Sequence, residues 1–80
     1  MKSYGTRELV SALNELGYSK GKQIASRHIK YFPPTNPPKG IVPFILVIQN
    51  RTQFDPHWQR TYIKQIKQHG FTKEQIEACF

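Results

Sequence analysis

A proline-rich segment in the middle of the chain limits the available folds more than any other feature. Between Phe32 and Gly40, four of nine positions are proline, and these residues cannot donate a ladder hydrogen bond. The segment must therefore be a connection, and its prolines keep it extended and stiff. Any sheet in this chain has to be built from strands that lie outside this segment.

The residues before and after the connection have the patterns of strands. Residues 27–31 alternate between polar and apolar, which predicts a half-buried strand with Ile29 and Tyr31 facing the core. Ile41 to Gln49 is apolar and rich in β-branched residues, and Pro43 is typical of an edge or a strand start. A sheet covered on one side would expose every second residue of this strand. Either the strand is central and covered by the connection, or its outer face is a protein contact, which we favour.

Helical patterns occupy both ends of the chain. An apolar stripe predicts a first helix, with Thr6 as its N-cap and Gly17 at its end; it consists of Leu9, Val10, Leu13 and Leu16. Asp55 and Pro56 are a cap and a first helical residue, and this second helix ends at Gly70. The capping box from Thr72 to Gln75 opens a short last turn that ends at Phe80.

This order predicts an α+β fold, α-β-β-β-α, in one domain over residues 1–80. The pattern allows two or three strands, and the simplest packing is a three-stranded antiparallel sheet with both main helices on one face. A short C-terminal helical turn follows.

Composition restricts the partners and the chemistry. Twelve Lys and Arg against five Asp and Glu give a net charge of +7, which favours a polyanion, most often nucleic acid, over an anionic membrane or a merely solubilising surface. Cys79 is the single cysteine and the histidines are not clustered, so we expect no disulfide framework and no zinc site of the usual spacing. A chain of 80 residues has a thin core, so we expect no deep cofactor pocket and no cofactor. The longest apolar run, Ile41 to Ile48, is too short for a membrane span, and the sequence predicts a cytoplasmic protein.

His28 is the strongest candidate for a catalytic residue. On the predicted strand it shares a face with Lys30, opposite Ile29 and Tyr31. A histidine that titrates near neutral pH can take the proton of an RNA 2′-hydroxyl or protonate the leaving 5′-oxygen, while a nearby cation stabilises the phosphate. No metal is required for this. By spacing alone, a surface histidine beside a lysine is the simpler interpretation.

The second helix carries further candidates. Arg60, Lys64 and Lys67 form a basic stripe that could bind phosphates together with Lys22 and Lys30, although many helices have basic outer faces. Trp58 and Tyr62 could stack on RNA bases, but their apolar side of the helix favours the core. His57 could contact a phosphate, although a solvent-exposed role is the simpler interpretation. His69 is interpreted as a C-terminal residue of the helix.

Two segments resemble the HicA family of bacterial toxins, which cleave messenger RNA as members of toxin-antitoxin pairs. A Leu-rich first helix and Gly17 precede the small residue Ser26, one variable residue and His28, and the second helix ends in the sequence Ile-Lys-Gln-His-Gly. The family motif reads Gly-Ser-x-His or Gly-Ser-His, so Ala25 replaces its usual glycine.

The resemblance implies a fold like that of double-stranded RNA-binding domains, with His28 as the catalytic residue and Ser26 as the family serine. It further implies a metal-independent endoribonuclease that is neutralised by a HicB-like antitoxin protein. The residues expected to contact RNA are Lys22, Ser26, Arg27, Lys30, Arg60, Lys64 and Lys67. The alternatives are a non-catalytic RNA-binding module and a protein-interaction subunit, and a homo-oligomer could form through the strand from Ile41 to Ile48.

Overall fold

The computed structural model describes residues 3–25 and 27–80. Its elements are α1 (Thr6–Glu15), β1 (Ser19–Ala25), β2 (His28–Phe32), β3 (Ile45–Ile48), α2 (Pro56–Gln68) and α3 (Lys73–Cys79). This order confirms the predicted α+β fold, and the last turn is a short helix of seven residues. Within the described residues, no helix is both long enough and apolar enough to cross a membrane.

The strands form one antiparallel sheet in the order β1-β2-β3. Ile29 and Tyr31 of β2 pair with Val47 and Ile45 of β3, and all four side chains are buried. The helices cover this face of the sheet with Leu9, Leu13, Tyr62, Ile66 and Ile76. The alternate residues of β2 and β3 therefore face the opposite, uncovered side, and the central position considered for the strand after the connection is wrong because β3 is an edge strand.

The second and third helices begin where the sequence predicts. Asp55 caps α2, where its carboxylate accepts a hydrogen bond from the Trp58 N–H at 2.9 Å, and Pro56 is the first helical residue. At α3 the Thr72 hydroxyl accepts from the Gln75 N–H at 3.1 Å, while the Gln75 side chain accepts from the Thr72 N–H at 2.8 Å. Both starts are fixed by residues close in sequence.

The first helix is capped differently from the prediction. Gly5, and not Thr6, is the N-cap, and its N–H donates to the Glu8 carboxylate at 2.8 Å. A side chain at Gly5 would collide with the backbone of Arg51 and Thr52, which crosses directly over it. The Thr6 hydroxyl instead bonds a segment distant in sequence, where it accepts a hydrogen bond from the Arg51 N–H at 3.1 Å.

The strand after the connection is shorter than the predicted Ile41 to Gln49, since β3 begins only at Ile45. The Ile41 N–H donates to the carbonyl of Pro38 in a turn, and the Val42 carbonyl lies 2.8 Å from Nε2 of His69. Pro43 has no N–H to donate. The backbone groups of these residues form hydrogen bonds outside the sheet. For this reason β3 begins later in the sequence than predicted.

Side chains of the same protein close the outer edge of β3. The Tyr62 hydroxyl accepts from the Ile48 N–H at 3.1 Å and donates to the Leu46 carbonyl at 2.8 Å. The Thr6 hydroxyl donates to the Ile48 carbonyl at 2.6 Å. Free backbone groups on an edge strand would be a template for pairing with another chain. A homo-oligomer through this strand would therefore have to use its face and not this part of its edge.

We expect alkaline unfolding to coincide with tyrosine ionisation. Burial raises the pKa of all four tyrosines above the ordinary value of 10.0; they are Tyr4, Tyr18, Tyr31 and Tyr62. Because the pKa values are raised in the folded state, their contribution to stability is present below pH 10 and is lost at higher pH. Tyrosinate absorbance should therefore appear above pH 10 together with the loss of circular dichroism. Titration near pH 10 with the fold intact would contradict this expectation.

Candidate active site and basic surfaces

His28 lies on the uncovered face of the central strand. As the first residue of β2 it pairs with Ala25 of β1 and with Ile48 of β3, and it is half-buried. Its neighbour Ile29 points into the core, so the imidazole projects away from the helices. His28 therefore lies on the strand face opposite Ile29 and Tyr31, as the alternation predicts.

Lys30 projects from the same face of β2. By the rise of a strand it follows His28 by about 7 Å. Its ammonium Nζ lies 4.2 Å from the centre of the Phe44 ring, a cation–π contact that holds the charge against this face. His28 and Lys30 thus share one open face of β2, with the Lys30 ammonium turned towards Phe44.

Arg27 is a further candidate and lies in the turn before β2. Arg27 is exposed, and its carbonyl accepts a hydrogen bond from the Gln49 N–H at 2.8 Å, which ties this turn to the end of β3. Ser26 lies outside the described residues, so its expected RNA contact stays a prediction. Lys22 is exposed on β1.

Two arginines that the sequence did not single out lie at the same end of the sheet as His28. Arg51 follows β3 by three positions, and its N–H is bonded to the hydroxyl of Thr6. Arg7 is the next residue of α1, and both arginines line a shallow depression of about 490 Å³. The two arginines are close because β3 contacts α1. No local pattern in the sequence predicts this contact.

The basic stripe of α2 forms a separate surface. Its three cations, Arg60, Lys64 and Lys67, line a groove of about 550 Å³ between α2 and α3, to which Lys73 and Tyr4 also contribute. Glu77 lies in this groove, with Oε1 3.9 Å from Nζ of Lys73. The groove belongs to the helical layer, whereas Lys30 projects from the opposite face of the sheet. The single phosphate track expected from the stripe and Lys30 is therefore not formed.

The other two histidines have different environments. His57 is exposed in the first turn of α2, as its sequence position predicts. His69 lies at the C-terminal end of α2 as predicted, where it is the C-cap, but its ring is buried, which the sequence did not predict. Because the Val42 carbonyl can only accept, Nε2 of His69 carries the hydrogen that it donates at 2.8 Å. In the neutral ring Nδ1 then accepts from the Tyr18 hydroxyl at 2.7 Å.

The aromatic pair on α2 is divided between core and surface. Tyr62 is buried as predicted, but 38% of Trp58 is exposed, so the prediction of a core position for Trp58 is wrong. Trp58 lines a cleft of about 250 Å³ with Ile48 and Arg51. A helical wheel predicts the side of a helix on which a side chain lies. It does not predict whether the sheet extends far enough to cover that turn of the helix.

Across residues 3–25 and 27–80, no three or more His, Cys, Asp or Glu side chains are grouped in a way that could hold a metal ion. The fold and the site together define a small α+β domain with a histidine on the open face of its sheet and cations around it. Comparison of the chain with protein-family models, curated proteins and solved structures found no match.

Proposed function

We propose that this protein is a HicA-like toxin, a metal-independent endoribonuclease in which His28 is the general acid or base. The observation that carries the proposal is the position of His28 on the open face of β2, two residues before Lys30 on the same face. The α-β-β-β-α order and the net charge of +7 agree with the implied family fold and with an RNA substrate, in particular messenger RNA.

The proposed reaction is an internal transfer of the phosphodiester. The 2′-oxygen attacks the adjacent phosphorus, an O2′–P bond forms, and the P–O5′ bond breaks. The 2′-hydroxyl loses a proton and the 5′-oxygen gains one, so the products are a 2′,3′-cyclic phosphate and a 5′-hydroxyl. His28 takes the first proton or supplies the second, which is the kind of step that positioned imidazoles perform.

The cations are proposed to bind and stabilise the reacting phosphate. Lys30 and Arg27 flank His28 in sequence, and negative charge that builds up on the phosphorane oxygens favours donors already held in place. The ring of Phe44 holds the Lys30 ammonium near the face, and Arg51 adds charge at the His28 end of the sheet. An open site of this kind suits a polymer that lies across a surface.

The proposal includes a partner and a compartment. A HicB-like antitoxin would neutralise the enzyme by covering His28, because blocking access to one residue stops the chemistry. Both proteins would act in the cytoplasm, where messenger RNA is available.

A non-catalytic RNA-binding module is the second candidate, and the groove between α2 and α3 favours it. Four cations line that groove against one acidic residue, which is itself within ion-pair distance of Lys73. Such a surface binds phosphates without reading sequence, and its affinity falls steeply with salt. A protein-interaction subunit would rely instead on the apolar outer face of β3, where Leu46 is 39% exposed.

The test is incubation of the purified protein with labelled single-stranded RNA in the presence and absence of EDTA. We expect cleavage at equal rates in both, with fragments that end in a 2′,3′-cyclic phosphate. Loss of cleavage on chelation would contradict the proposed chemistry. Salt-dependent binding with the RNA left intact would favour the binding module.

A further inference from the structure

One exposed aromatic ring lies on the same strand and the same face as His28. Phe32, the last residue of β2, is 40% exposed and follows Lys30 by two positions. The uncovered face of β2 thus presents an imidazole, an ammonium and an aromatic ring in order, over about 13 Å by the rise of a strand. The proposed function uses the first two and leaves the ring unexplained.

A glycine on the neighbouring strand determines how the Phe32 ring lies. A Cβ built on Gly21 would be 2.5 Å from Cε2 and 3.2 Å from Cδ2 of Phe32, so the ring occupies the space above this glycine. The Phe44 ring packs against it with a centroid separation of 6.2 Å and an interplanar angle of 63°. The ring is therefore supported from below and from one side, while its outer surface remains exposed.

We infer that the uncovered face of β2 binds single-stranded RNA, with one base stacked on Phe32 and the backbone running past Lys30 to His28. This inference rests on the proposed function, because it names the form of RNA that reaches His28. Unpaired bases stack on exposed aromatic side chains regardless of sequence, whereas the paired bases of a duplex are not available to a surface ring.

The charges around the ring favour RNA over an apolar protein partner. Lys30 lies between His28 and Phe32 on the face, and covering it with apolar protein would remove a charge from water at considerable cost. A polyanion places its phosphates near that ammonium and its bases on the ring. A second copy of the chain, with its own net charge of +7, would bring like charges together.

The test compares two side chains of nearly equal exposure on this face. Phe32 is 40% exposed and Leu46 is 39% exposed, but only Phe32 has an aromatic surface. Binding of a short labelled oligonucleotide is measured by fluorescence anisotropy, with His28→Ala as the common background so that the RNA stays intact. We expect Phe32→Ala and Phe32→Leu to raise Kd about 5- to 150-fold. Leu46→Ala should leave Kd almost unchanged, and Phe32→Trp should retain tight binding.

Three comparisons separate stacking from other effects. An oligonucleotide with abasic sites should bind equally to the proteins with and without Phe32→Ala, since it has no base to stack. Gly21→Ala displaces the Phe32 ring and also brings a Cβ to 3.1 Å from the Lys30 carbonyl, so it should weaken binding of the intact RNA and is interpreted only if the sheet stays intact. Circular dichroism verifies that each variant is folded.

Two results would overturn the inference. One is unchanged affinity after Phe32→Ala, and the other is an equal loss from Leu46→Ala, which would indicate a general apolar contact. If binding depends on Phe32 but the wild-type protein does not cleave, the stacking site stands and the proposed reaction fails. If the wild-type protein cleaves while Phe32→Ala binds normally, the reaction stands and the stacking site fails.

Discussion

His28→Ala is expected to reduce RNA cleavage by about 10²- to 10⁴-fold, the usual contribution of a positioned general acid or base. The residual rate would come from phosphate binding by the surrounding cations. Because the imidazole projects from the uncovered face of β2, its removal should leave the core and the melting temperature almost unchanged. Cleavage of a labelled oligonucleotide at saturating protein measures the rate.

A second histidine of the same chain provides the matched control. His57 is exposed in the first turn of α2, so His57→Ala makes the same chemical change outside the proposed site. We expect this variant to cleave at the wild-type rate. In a bacterial host, wild type and His57→Ala should arrest growth and His28→Ala should not. Equal cleavage by His28→Ala and wild type would remove His28 from the mechanism.

His69→Ala is expected to lower the free energy of unfolding by about 2–4 kcal/mol, because it leaves the Val42 carbonyl and the Tyr18 hydroxyl without their buried partner and opens a cavity. Domains of this kind have total stabilities of about 5–15 kcal/mol, so the loss is a large share. For a chain of this length, 1 kcal/mol corresponds to roughly 4–8 °C in melting temperature. Denaturation by urea and by heat measures the change.

The control on stability uses the same substitution at the other end of α2, whose C-cap is His69. His57→Ala removes an exposed ring and is expected to change the free energy of unfolding by less than about 0.5 kcal/mol. The backbone carbonyl of His69 also accepts from the Thr35 hydroxyl at 2.8 Å, and this bond is available to any residue at position 69. Melting of His69→Ala together with wild type would mean that the two hydrogen bonds to the ring contribute little to stability.

The parts of the fold that could be predicted from the sequence depend on neighbours along the chain. Asp55, Pro56 and the Thr72 capping box act within a few residues, and their helices begin where expected. The N-cap of α1 could not be predicted from its neighbours, because a segment distant in sequence determines it. The backbone of Arg51 and Thr52 leaves space only for glycine at position 5.

The site could be predicted in part for the same reason. The alternation around His28 fixes the face on which it lies, so its exposure follows from the local pattern and was expected. The role of His69 depends on Tyr18, 51 residues away, and on Val42, 27 residues away. Arg51 reaches the His28 end of the sheet through the antiparallel pairing of Ile48 with His28. No periodicity of the sequence contains such information.

The exposure of the edge of β3 depends on the second helix, because the Tyr62 hydroxyl that covers this edge belongs to α2. Because the Ile48 N–H and the Leu46 carbonyl are bonded to that hydroxyl, they become accessible only when α2 separates from the sheet. Exchange of the Ile48 amide hydrogen with solvent deuterium therefore reports the undocking of α2, although the amide belongs to an edge strand. The form of the protein most open to strand exchange between molecules is the one that has lost α2, and its population is governed by the free energy of that undocking.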